Sequence, residues 1–134
     1  MRIPRLQVLL CTTLLAACFS DPPAGPEDGN GEAVVVRMTD QLTFEPATVQ
    51  VTAGESVRWE NVSTFPHTAT GDPALAADPD KVELPPGADA WDSGILTEGG
   101  TYTRTFTTPG TYRYVCLPHE SGNMVGTVEV VAGS

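Results

Sequence analysis

Gly110-Thr-Tyr-Arg-Tyr-Val-Cys-Leu-Pro-His-Glu-Ser-Gly-Asn-Met-Val-Gly-Thr-Val-Glu-Val-Val131 contains two strand-like runs joined by a short polar turn. In an extended chain, successive side chains point to opposite faces. Tyr112, Tyr114 and Cys116 therefore share one face, and Arg113 takes the other. The first run delivers a sulfur atom to the top of an aromatic-lined core. Pro118 and Gly122 shape the turn, which brings His119 and Met124 back over the same end, and Val125 to Val131 returns as the next strand.

Working outward, the same period recurs. Val34, Val36 and Met38 alternate with Val35 and Arg37, Val49 and Val51 follow the turn at Glu45-Pro46, and Val57 and Trp59 alternate with Arg58 and Glu60. Thr101 to Thr107 completes the set. Period-two patterning punctuated by Gly and Pro predicts an all-β fold, an antiparallel Greek-key β-sandwich. Tyr102, Arg104 and Phe106 share a face, which places an arginine among aromatics. An edge strand is expected there, where the arginine head reaches solvent. The stretch 72–90 has four prolines and five acidic residues. It reads as a long surface excursion with a short helical turn near Ala74 to Ala77. There is no internal repeat and no second domain, and a monomer is expected.

The turn offers a thiolate, an imidazole and a thioether within nine residues, and the chain's other histidine is His67, in Phe65-Pro-His-Thr68. Taken singly, each residue has a plain reading. Cys116 is a buried small hydrophobe, His67 a surface or capping histidine, and Met124 a core methionine. Together they supply two nitrogens, one thiolate and one weak thioether, the donor set of a blue-copper electron-transfer centre. Four protein donors leave no open position for substrate or activated water, which argues against a catalytic metal.

The N-terminus reads as an address. Arg2 and Arg5 form a positive region, and Leu6 to Ala17 is apolar but too short to span about 30 Å of bilayer as a helix. Residues 1–17 are therefore expected to be a signal peptide. Leu15-Ala-Ala-Cys18 resembles the lipobox of bacterial lipoproteins, which implies cleavage before Cys18 and lipid attachment at that residue. Two or more acyl chains give stable membrane anchoring. Phe19 after Cys18 points towards an outer membrane in a cell that has one. Phe19 to Glu32 is rich in Pro, Gly and acid and reads as a disordered tether reaching about 20 Å. The folded domain is then 33–134, exported and held at the cell envelope, periplasmic or on the outer face. With Cys11 removed and Cys18 acylated, Cys116 has no partner. An unpaired thiol in an oxidising compartment is a liability unless it is buried or ligated.

All seventeen acidic residues lie beyond position 20, and losing Arg2 and Arg5 with the leader takes the formal charge from −10 to −12. Such a surface repels nucleic acid and favours a partner with a basic docking face. No basic patch interleaved with aromatics exists, so nucleic-acid binding is set aside.

Cys116 to Met124 followed by Val125-Gly-Thr-Val128 resembles the ligand loop of the cupredoxins, the small blue-copper proteins. The two residues between Cys and His and the four between His and Met match plastocyanin and pseudoazurin spacing. Asp92 to Leu96, Phe106 to Gly110 and Tyr112 to Tyr114 also resemble that family, so the similarity runs from about Ala33 to Val131. The resemblance implies one type 1 copper, with His67, Cys116 and His119 as equatorial ligands and Met124 as the axial one. It implies a carrier of single electrons, not an enzyme, whose redox partners dock near His119. In plastocyanin-type sites an asparagine commonly follows the first histidine and cross-links the ligand loops. Here Thr68 stands there, with a shorter side chain and a backbone N–H placed to donate to the Cys116 sulfur. Three competitors remain. An exported copper carrier usually draws on Met- or His-rich tracts, and this chain has three Met and two His. A thiol hydrolase would need an oxyanion loop and an orienting Asn or Asp beside Cys116 and His119, and neither is evident. The third is a metal-free binding module.

Overall fold

The structure is a computed structural model that describes residues 32–133. The signal peptide, Cys18 and nearly all of the tether lie outside the described residues. Among the described residues, nine strands form two sheets, in line with the expected sandwich. One sheet contains β1 (Val34–Met38), β2 (Phe44–Glu45), β4 (Ser56–Asn61) and β7 (Thr101–Thr105), in the order β2-β1-β4-β7. The other contains β3 (Thr48–Thr52), β5 (Thr70–Gly71), β6 (Trp91–Asp92), β8 (Gly110–Val115) and β9 (Val125–Val131), in the order β3-β9-β8-β5-β6. Most pairs are antiparallel, but β1 runs parallel to β4 and β3 parallel to β9. Between β1 and β4 the chain visits the second sheet at β3 and returns, so the two neighbours enter from the same end. Period-two patterning marks faces and does not read strand direction.

The inward faces interlock as the alternation requires. Val36, Met38, Val57 and Trp59 from the first sheet meet Val49, Val51, Tyr112, Tyr114, Val128 and Val130 from the second. Trp59 and Tyr114 join the sheets edge-to-face, with ring centroids 5.3 Å apart. Trp91, Phe106 and Phe44 extend the aromatic cluster. Such pairs add about 0.5–1.5 kcal/mol each beyond the area they bury. Burial pushes the Tyr114 phenol above its usual range.

Arg104 lies on edge strand β7, as expected. Its guanidinium sits over Trp91 and Phe106, at 4.6 and 5.1 Å from the ring centroids, and Nη2 donates to the Asp89 carbonyl at 2.9 Å. The excursion between β5 and β6 is ordered. It contains a turn at Asp72–Ala76, beginning two residues before the expected one, and a single 3-10 turn at Pro79–Lys81. It then runs along the edge of β8, where Glu83 exchanges both backbone hydrogen bonds with Arg113, at 3.1 and 2.9 Å.

The β8–β9 hairpin carries a tight fit. Tyr114 pairs with Gly126, and a Cβ there would stand 2.3 Å from the phenol Cζ and hydroxyl. Gly126→Ala is expected to destabilise the fold by roughly 1–3 kcal/mol through overpacking. Thermal or denaturant unfolding with the two proteins side by side measures this, and an unchanged midpoint would show that the ring has room to move.

Candidate metal centre

Cys116 directly follows β8, with its sulfur fully buried at one end of the sandwich. Its backbone N–H bonds the Met124 carbonyl at 3.0 Å, which closes the turn at its neck. Within the turn, the His119 N–H bonds the Cys116 carbonyl at 3.1 Å, and the Asn123 N–H bonds the Glu120 carbonyl at 3.0 Å. The reversal needs a left-handed residue, and Asn123 takes it at φ 60, ψ 38. Asparagine tolerates that region better than most residues with a Cβ. The turn is irregular at His119, which leaves the helical range at φ −121, ψ 21.

His67 arrives from the other sheet's side through the segment after β4. Its backbone exchanges both hydrogen bonds with Leu96, at 3.0 and 2.8 Å. The turn leading to it is stitched by Asn61, which is buried. Asn61 Nδ2 donates to the Phe65 and Leu96 carbonyls at 2.8 Å each, and its Oδ1 accepts the Ser63 N–H at 2.9 Å. Three of that amide's bonding positions thus hold the loop that carries the first histidine.

The two segments converge on one atom. His67 Nδ1 lies 3.5 Å from Cys116 Sγ and His119 Nδ1 lies 3.4 Å from it. The donor atoms of all three residues lie within 4.8 Å of one another. Metal–donor distances are about 2.0–2.3 Å, so one ion can serve donors spaced this way. Met124 is buried directly beyond the turn, and His67, Cys116, His119 and Met124 make a donor set like that of type 1 copper. Burial, and then the neighbouring His119, push the His67 pKa down, against an opposing pull from the Thr39 backbone and the Asp40 charge. A neutral imidazole is the form that ligates. Burial pushes the Cys116 thiol up, against the Thr68 and His119 backbone N–H groups. A bound cation must therefore displace that proton, so loading releases it.

Thr68 makes the cross-link between the loops. Its backbone N–H donates to Cys116 Sγ at 3.4 Å, and its Oγ1 accepts the Leu117 N–H at 2.9 Å. The hydroxyl spans the gap because the loops approach closely there. Thr70 Oγ1 stands 2.9 Å from Thr68 Oγ1 and 2.8 Å from Asp92 Oδ1, which places the cross-link at the head of a short polar chain.

Two contributors escape a reading of the sequence alone, Asn61 and Glu120. Asn61 has one signal, a polar residue closing an otherwise alternating strand just before the histidine segment. Glu120 reads as a solvated charge, yet it is buried, and its carboxylate accepts the N–H groups of Ala77 and Asp78 at 2.9 and 2.6 Å.

Asp40 anchors the histidine loop from outside. Its Oδ1 accepts the backbone N–H of Thr64 at 2.9 Å and the Thr64 hydroxyl at 3.2 Å. That backbone N–H is the main reason its carboxyl titrates below the ordinary 3.8. A depressed carboxylate stabilises the fold in full above its unfolded pKa and ceases to do so as pH falls through the lower folded value. Protection of the Thr64 amide, the slowing of its exchange relative to an unstructured peptide at the same pH, is therefore expected to fall in acid below about pH 4, and Asp40→Asn should remove that pH dependence. Protection with the same acid response in both proteins would show that Asp40 is not the anchor.

Residues 31–131 match the family model for copper binding proteins of the plastocyanin/azurin family. The chloroplastic plastocyanin of Tetradesmus obliquus is 43% identical over 91 residues, covering 66% of this chain and 59% of that protein. The plastocyanin of Scenedesmus fuscus is 39% identical over 93 residues, covering 66% and 87%. Among solved structures, the Cu(I) form of a methionine-to-alanine mutant of amicyanin superposes with a TM-score of 0.57 at 29% identity, covering 74% of this chain and 82% of that one. A mutant plastocyanin of fern gives 0.57 at 27% identity, covering 73% and 100%. With the family model matched along nearly the whole sandwich, the chain belongs to the plastocyanin/azurin family of copper-binding proteins.

Proposed function

We propose that the protein carries single electrons between redox partners outside the cytoplasmic membrane, with one type 1 copper held by His67, Cys116, His119 and Met124. The observation that carries this reading is the convergence of two imidazole nitrogens on one buried cysteine sulfur, at 3.4 and 3.5 Å. Copper, when bound, supplies a one-electron couple, Cu(II)/Cu(I), for which soft sulfur and imidazole together suit both states. The chain supplies the rest. Cys116 and Met124 are closed from water, and His67 is locked by Leu96 and Asn61. The Thr68 hydroxyl keeps the two loops at fixed separation. A cage held this way has little freedom to rearrange when charge changes.

His119 is the half-buried ligand, and it gives the route to a partner. Around it stand Phe65, Pro66 and Pro118, all exposed, with Leu117 half-buried. Phe65 meets the His119 ring edge-on, at a centroid distance of 6.4 Å. This apolar patch suits brief docking, and the acidic surface beyond it favours a partner with a basic face. The leader and the lipobox-like Cys18 support export and anchoring at the envelope, and an intact-mass measurement of the mature N-terminus tests the lipid.

Adding Cu(II) to the purified protein is expected to give an intense blue complex at one copper per chain. The colour should be lost on reduction and absent in Cys116→Ser. A colourless complex would instead favour a copper carrier, and no binding a metal-free module. Electron self-exchange between the Cu(I) and Cu(II) forms tests the patch, since two copies must meet there. Leu117→Asp should slow it about tenfold, as a loss of roughly 1.4 kcal/mol in the encounter would. An unchanged rate would place the exit elsewhere.

A further inference from the structure

The 72–90 excursion is fastened to the rest of the domain by side chains. The chain's single lysine, Lys81, donates Nζ to the Glu120 carbonyl at 2.9 Å. Arg113 donates to the Asp80 carbonyl and Arg104 to the Asp89 carbonyl. The Glu120 carboxylate, only 5% exposed, takes the Ala77 and Asp78 N–H groups. Its carbonyl receives both Lys81 Nζ and the Asn123 N–H. Glu120 is therefore caught from the excursion on one side and from its own turn on the other.

This matters because of where Glu120 sits. Three of the four donors are carried by regular structure or its immediate end. His67 is bridged to Leu96, Cys116 directly follows β8, and Met124 precedes β9. His119 alone lies mid-turn, at the residue where the turn departs from helical geometry. Glu120 is the next residue. A buried carboxylate is costly unless it is satisfied, and two backbone N–H groups bound to it are worth more than neutral pairs. The excursion cannot leave without stranding that carboxylate, nor can the turn shift without breaking the same bonds.

We propose that Glu120 is a positioning residue. Through Ala77 and Asp78 it makes the 72–90 segment a strap that fixes the peptide following His119, and so the place of its imidazole beside Cys116 Sγ. The inference rests on the copper reading above and adds a residue to it. It also gives the long excursion a task, to brace the ligand turn from outside the sandwich.

The test compares wild type with Glu120→Gln and Lys81→Met. Glutamine keeps the shape but offers one acceptor oxygen for two N–H groups, with an amide that donates towards the other. In the metal-free protein, amide exchange at Ala77, Asp78 and His119 should quicken. In the Cu(II) protein, the copper hyperfine splitting and the relative strength of the visible bands should change, and transfer of copper to a chelator should accelerate about tenfold. Lys81→Met should shift the same readouts in the same direction by less. Faster exchange at Ala77 and Asp78 with an unaltered spectrum and transfer rate would overturn the proposal, because the strap would then be loose without effect on His119. Should Glu120→Gln not fold, Lys81→Met decides by the same criteria. A wild type that forms no blue complex would instead overturn the copper reading, while exchange at His119 in the metal-free protein still reports whether the strap holds the turn.

Discussion

One buried sulfur atom must be faced at once by groups from two loops that lie far apart in sequence. Cys116 Sγ receives the Thr68 N–H and faces nitrogens of His67 and His119. Nothing about a sandwich of two sheets guarantees that its end loops stay together, so each approach is secured separately. The Leu117 N–H to Thr68 Oγ1 bond ties loop to loop, and Leu96 pairs with His67. Asn61 closes the turn before it. Burial raises the thiol's pKa, so a cation bound there must displace the sulfur's proton.

Rigidity at the site is inherited from the core beneath it. The strand that leads into Cys116 also carries Tyr112 and Tyr114, which pack against Phe106, Trp59 and Trp91. The returning strand leaves room for Tyr114 only because position 126 is glycine. Packing at near-crystalline density transmits displacement, so the register of β8 and β9 fixes where Cys116 and Met124 stand. The polar cross-links then set the finer placement of the histidines. Large apolar surfaces locate the site, and a few hydrogen bonds orient it.

Much of this was legible in residues that act locally. Cys116, His119 and Met124 share one turn, His67 is one of only two histidines, and the alternation of Tyr112, Tyr114 and Cys116 marks the inward face. The edge position of Arg104 followed from a charge among aromatics. What was not legible depends on partners distant in sequence. Glu120 resembles any exposed acid until Ala77 and Asp78 are brought to it, and Asn61 resembles a strand end until Phe65 and Leu96 surround it. Thr68 reads as a weaker substitute for asparagine because residue type fixes reach but not the distance to be spanned. The two-residue strands β5 and β6 are too short to show a period, and the parallel pairs need the chain's route between sheets.

The sheet order has a consequence for how such molecules behave when crowded. The outer strands are β2 and β7 on one sheet and β3 and β6 on the other. Unpaired strand edges are templates for intermolecular pairing, and β2 and β6 each offer only two residues of it. On β7, Arg104 lies over the aromatic rings and reaches the Asp89 backbone, and its charge sits on the strand that would have to pair. Three of the four borders are thus blunted against edge-to-edge aggregation. At high local concentration, that property would keep neighbouring copies separate and free to turn.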